Sequence, residues 1–227
     1  MSFTPFLHPT YLLAALLAIT VHEFAHALVA KRLGDDTAEH LGRLTLNPLA
    51  HLDPLGSLLF VLVGFGWAKP VPVDPRRLGA PTRDMALVSL AGPVSNLLLA
   101  ALAFVLLHLL FVGGSFSLGQ LLTGGRGTEG VLLTVLQQFL SYSLFVNLAL
   151  MAFNLLPLAP LDGSKIVTPF VPWEYRRQYD DLLLQGPYIL FGLLILGDIL
   201  GVPLISWWVS FWADLALQIF SLLTPWW

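Results

Sequence analysis

His22, Glu23 and His26 form the set HEFAH inside AITVHEFAHALVA, Ala18 to Ala30, a run otherwise apolar enough for the middle of a lipid-spanning helix. On a helix, residues four apart share a face, so both imidazoles can reach one metal ion while Glu23 stands next to them, near enough to act on a water held by that ion. Zinc bound by His and carboxylate with one position open lowers the pKa of its water to about 7 and polarises a carbonyl. An ionisable residue near the middle of a spanning helix costs about 2.5 to 3.5 kcal/mol on insertion scales. Three together point to function. The isolated histidines differ: His108, late in its apolar run, reads as a hydrogen-bonded structural residue, and His8 and His40 as interface or surface residues.

Catalytic zinc commonly has three protein ligands, so another must come from elsewhere. The chain has no cysteine, which excludes a thiol nucleophile, a disulfide framework and a Cys-based zinc site. Asp162 in NLLPLAPLDGS is the best candidate, because Pro157 and Pro160 interrupt a spanning helix and Gly163 follows, letting the backbone unwind and aim a carboxylate inward. Asp198 and Asp214 lie near the ends of later apolar runs without such a break. His51 and Asp53 in NPLAHLDP sit in a proline-bounded turn, where both side chains can bond local backbone, a structural use.

The elements that must position these residues follow from composition. Only 11% of the residues are charged and 56% are hydrophobic, against about 25% charged in soluble domains, so this is an integral membrane protein. It has no basic block, which excludes a nucleic-acid partner. Runs of the roughly 20 apolar residues a span needs occur at Tyr11 to Ala30, Met85 to Val112, Val131 to Leu156, Leu182 to Leu200 and Pro203 to Leu223. No Lys or Arg precedes Lys31, so the first run is expected to remain in the mature protein and not to be cleaved as a signal peptide.

The shorter run Leu55 to Trp67, ending near Gly64 and Gly66, suits a re-entrant dip. If it returns to its starting side, Arg126 alone opposes the other ten of the eleven Lys and Arg residues; if it crosses, the division is four against seven. The positive-inside rule favours the first, with GGRGTEG as the outer turn. Asp162 then lies in the same cytoplasmic half as His22 and His26; under full crossing it would be on the opposite side. RLTLN and AKPVPVD, short β-branched stretches bounded by Pro and Gly, predict edge strands of a small membrane-flanking sheet. The expected organisation is one membrane-embedded domain over 1–227, with a core over 10–165 and a C-terminal helical pair over 182–224, and no internal repeat.

HEFAHALVAKRLGD, LTLNPLAHLDPLG, GWAKPVPVDP, SLAGPVSN and FNLLPLAPLDG together resemble the site-2 protease family of intramembrane zinc metalloproteases, in its minimal bacterial or archaeal form. The resemblance implies an all-α polytopic membrane protein with a three-helix catalytic core, extra transmembrane helices, a re-entrant segment and a membrane-associated β-segment, in a prokaryotic cell membrane. It implies zinc on His22, His26 and Asp162, Glu23 as general base, and hydrolysis of peptide bonds within or near transmembrane segments of membrane-protein substrates. By the same resemblance, Asn96 of the GPxxN motif and Asn154 contact substrate or steady the oxyanion, a role for which a neutral amide is suited in lipid. The alternative for Gly92, Pro93 and Asn96 is close helix packing with an interhelical hydrogen bond. No stretch is long or polar enough for a PDZ or CBS domain, and Ser164 stands where many members have a second glycine. The last two apolar runs, with Gly186, Pro187, Gly201 and Pro203, are candidates for a lateral gate.

A helical peptide bond is shielded, so a substrate has to unwind, and an edge at WAKPVPVDP that keeps alternate carbonyls free could hold it extended. The rival from another class is a metal-ion transporter or a non-catalytic metal-binding membrane protein, since intramembrane His and Asp also mark ion pathways. Glu23 discriminates, because a transport site needs ligands but no acid–base residue beside them.

Overall fold

The computed structural model describes residues 8–63, 66–110, 131–201 and 203–222. The outer turn GGRGTEG lies outside them. Eight α-helices are named here: α1 (Pro9–Arg32), α2 (Thr37–His40), α3 (Pro54–Val63), α4 (Pro81–Leu110), α5 (Val131–Asn154), α6 (Asp162–Val167), α7 (Arg176–Leu200) and α8 (Leu204–Leu222). Four of the described helices, α1, α4, α5 and α8, are long and apolar enough to cross a membrane, and α7 forms over the remaining apolar run. The protein is an all-α polytopic membrane protein. Leu90, Val94, Leu98, Leu102, Val105 and Leu109 of α4 point outward and are exposed, a face that would aggregate in water and matches lipid.

α1 starts with Pro9 in its first turn, where the missing N–H costs nothing, and carries Lys31 and Arg32 in its last, where they meet the negative helix end. It stops in a Schellman cap: Gly34 takes φ 107°, its N–H reaches the Lys31 carbonyl, and Asp35 N–H reaches the Ala30 carbonyl at 2.9 Å. α1, α4 and α5 pack into one three-helix core whose contact faces carry small residues, including Ala14, Ala18, Ala27, Gly92, Ala100 and Ala152. Small side chains let backbones approach closely where water supplies no driving force. α8 joins this core through Ala216 and Phe220.

The short run behaves as a dip. α3 has 10 residues, about 15 Å of helix against a hydrocarbon thickness of about 30 Å. Its two ends are joined by an antiparallel bridge between Leu52 and Ala68, with Lys69 N–H on the His51 carbonyl at 2.8 Å. Glycine is required where the returning chain crosses α3: a Cβ at Gly56 would stand 2.2 Å from the Trp67 carbonyl oxygen.

The expected membrane-flanking sheet is reduced, among the described residues, to that bridge. RLTLN folds into a turn in which Thr45 Oγ1 accepts from Asn47 N–H and Asn47 Oδ1 from Leu49 N–H. In AKPVPVD, Pro70 and Pro72 have no N–H, and the donors of Val71 and Asp74 are spent on the side chains of Glu23 and Asp35. The segment Ala68 to Asp74 is therefore a strap tied to Glu23 of α1 and to Asp35 just after it, and not a strand in a ladder.

Candidate metal centre

Three elements converge on one point. His22 and His26 share a face of α1 near the middle of its length. Gly92 of α4 lies against both rings; a Cβ there would be 2.5 Å from His22 Cε1 and 2.5 Å from His26 Nε2. Asp162 arrives from the end of α5. Pro157 disfavours continuation of the helix, the chain turns through Leu155 to Leu161, and α6 begins at Asp162. Gly163 permits that reversal, since a Cβ would lie 2.3 Å from the Leu156 carbonyl oxygen.

The three ligating atoms are close. His22 Nε2 and His26 Nε2 are 3.0 Å apart, and Asp162 Oδ2 lies 3.2 Å from the first and 3.3 Å from the second. Ligands placed tetrahedrally about 2.0 Å from zinc would be separated by about 3.3 Å. Proton bookkeeping supports a cation as well. His26 Nδ1 faces the Val88 carbonyl at 2.7 Å, a group that only accepts. His22 Nδ1 faces Asn96 Oδ1 at 2.6 Å, because Asn96 Nδ2 is turned to the Ala18 carbonyl and to Asn147 Oδ1. With Nδ1–H so engaged, each ring directs Nε2 at the other and at Asp162 Oδ2, a buried oxygen that accepts no hydrogen bond among the described residues. Three electron-rich atoms in a buried site repel unless a cation lies among them, so the donor set fits zinc.

Glu23 is buried beside the ligands, and its Oε2 accepts the Val71 N–H of the strap at 3.0 Å. The strap is pinned at both ends. Arg43, itself buried, donates Nη2 to the Lys69 carbonyl, and the fully buried Asp35 accepts Asp74 N–H at 2.7 Å. Hydrogen bonds from Arg76 hold the Asp74 carboxyl below its ordinary range.

The structure brings His22, Glu23, His26 and Asp162 together. Asn96, expected at the substrate side, lies fully buried behind His22 with both ends of its amide bonded, the interhelical alternative. Asn154 is half-buried at the end of α5 and donates Nδ2 to the Leu150 carbonyl in its own helix at 3.0 Å. His51 and Asp53 serve the dip: His51 Nε2 bonds the Thr45 carbonyl and Asp53 Oδ1 caps α3 at Gly56 N–H. His108 stacks on Phe104. Sequence reasoning missed Asn147, Asp35 and the Val71 N–H. For Asn147 a signal existed, a lone amide within the apolar stretch SLFVNLALM.

A His, His and Asp donor set with a carboxylate beside it meets the needs of a membrane metalloprotease, and comparison with known proteins supports that class. Residues 10–194 match the model of Peptidase family M50, and the chain belongs to that family. It is 44% identical over 188 residues to YwhC of Bacillus subtilis (strain 168), covering 83% of this chain and 80% of that protein. It is 30% identical over 206 residues to Rip2 of Mycolicibacterium smegmatis, covering 85% and 67%, and 29% identical over 204 residues to Rip2 of Mycobacterium tuberculosis (strain H37Rv), covering 87% and 70%. All three are named as candidate zinc metalloproteases. No solved structure matches the chain.

Proposed function

We propose that this protein is an intramembrane zinc endopeptidase that hydrolyses peptide bonds within or near transmembrane segments of membrane-protein substrates, with its active site in the cytoplasmic half of the bilayer. The observation that carries this is the buried trio of lone-pair atoms at 3.0 to 3.3 Å with a carboxylate beside it. His22, His26 and Asp162 would hold zinc, which supplies a Lewis acid for the scissile carbonyl and acidifies water towards a pKa of about 7.

Glu23 accepts the proton of the attacking water and returns it to the leaving nitrogen, so water and peptide become a carboxyl and an amine. Its Oε2 is held by Val71 N–H, which leaves Oε1 to exchange the proton. Of Asn96 and Asn154, only Asn154 has surface left to meet a substrate. Substrate chains must arrive unwound, and the strap, whose Val71 and Val73 are half-buried, offers carbonyls for an extended segment to pair with.

The test is zinc content and cleavage of a model transmembrane substrate by purified wild type and Glu23→Gln side by side. Zinc in both, with cleavage lowered at least about 100-fold in Glu23→Gln, is expected for loss of a general base. Zinc bound but no cleavage by wild type across several membrane substrates would return the protein to the metal-binding or transport class.

A further inference from the structure

The two metal-side histidines are oriented by unlike partners. His26 donates Nδ1–H to the Val88 carbonyl, a backbone group that cannot turn round. His22 faces a side-chain amide, and an amide can present either end. With Asn96 reversed, Nδ2–H would face His22 Nδ1, the ring hydrogen would move to Nε2, and that hydrogen would sit among the atoms meant to share a cation. Something has to choose the correct end.

We propose that Asn147 of α5 makes that choice and is a positioning residue for the metal site, acting through Asn96 on His22; this rests on the zinc reading above. Asn147 Oδ1 accepts Asn96 Nδ2 at 2.8 Å, a shorter bond than the 3.3 Å contact from Asn96 to the Ala18 carbonyl. Asn147's own direction is fixed in turn, because its Nδ2 donates at 2.8 Å to the Ser143 carbonyl, which only accepts. The relay therefore begins on the backbone of α5, crosses α4 through Asn96 and ends on α1 at His22 Nδ1.

Both asparagines are fully buried, among the largest such side chains in the protein. An amide turned the wrong way there would leave buried donors facing donors, which cannot be offset by water. Outer partners of ligating histidines set ring orientation and tautomer, and their loss typically lowers metal affinity roughly 10- to 100-fold. The side chain of Asn147 hydrogen-bonds Asn96 and Ser143 and, among the described residues, no ligating atom, so the effect on zinc travels through Asn96.

Zinc affinity of the purified full chain, measured by competition with a chelator in detergent, tests this on Asn147→Leu, Asn147→Ala and Asn147→Asp, with thermal melting of the metal-free forms as the folding control. In the protonated state expected at a buried site, the Asp variant keeps an acceptor for Asn96 Nδ2 and a donor for Ser143. Affinity is expected to fall roughly 10- to 100-fold for Leu and Ala and to stay within about threefold of wild type for Asp. Leu or Ala variants that bind zinc as wild type does would overturn the relay and leave the protease reading standing, as would an Asp variant as weak as Leu. The Ala variant answers the question if Leu misfolds. A wild type that binds no zinc sinks the metal reading itself.

Discussion

At the scale of single residues, the candidate metal centre depends as much on an absent side chain as on those present. Gly92 is the point where α4 touches both imidazoles, and the Cβ of an alanine would stand 2.5 Å from His22 Cε1 and from His26 Nε2. Alanine is otherwise the better helix former by about 1 kcal/mol. Gly92→Ala should therefore leave the helix content of the metal-free protein unchanged while lowering zinc affinity at least about 10-fold, since the rings have to turn from their partners Asn96 and Val88. Equal affinity, by the same chelator competition, would mean that α4 can retreat from α1. The candidate ligands His22, His26 and Asp162, and Glu23 beside them, were legible in the sequence because they are residue types that lipid penalises. Asn147 was harder to read. An amide is mildly polar, and its partner Asn96 lies 51 positions earlier, so only the packing of α4 against α5 reveals that the two belong to one network.

At the scale of elements, the strap shows how local chemistry can redirect a segment with strand-like composition. The β-branched and alternating pattern of AKPVPVD predicts an edge strand, and the bridge between Leu52 and Ala68 is the start of one. Beyond it the prolines delete two donors, and the carboxylates of Glu23 and Asp35 take the N–H groups of Val71 and Asp74. Those carboxylates belong to or just follow α1, and periodicity within the strap carries no information about them. The single N–H on Glu23 has a measurable consequence. Val71→Pro removes it in a run where both neighbours are already proline, and proline's fixed φ suits an extended chain. A hydrogen bond to a charged group is worth about 1.5 kcal/mol or more, so cleavage should slow roughly tenfold or more with zinc content unchanged. A simultaneous loss of zinc would show that the strap holds α1 and the metal site together, not Glu23 alone.

At the scale of the whole molecule, the path of the dip decides whether the site can exist. His22 and His26 on α1 and Asp162 after α5 meet only if an even number of full crossings separates their chain positions in the same half of the bilayer. α4 and α5 supply two, so α3 must not add a third. Its length of about 15 Å, the bridge closing its ends and the close crossing at Gly56 all keep it on one side. The sequence reached the same topology from charge, with Arg126 alone opposing ten other cations. Because the chain has no cysteine, single substitutions report on sidedness without background. Cysteines at His40 and Arg76, both exposed and on either side of the dip in sequence, should react with a membrane-impermeant thiol reagent only when the cytoplasmic face is open, and a cysteine at Arg126 only from outside. Labelling of positions 40 and 76 from opposite faces would mean that α3 crosses, would place Asp162 away from the histidines in the membrane, and would be incompatible with the 3.2 and 3.3 Å separations on which the zinc proposal rests.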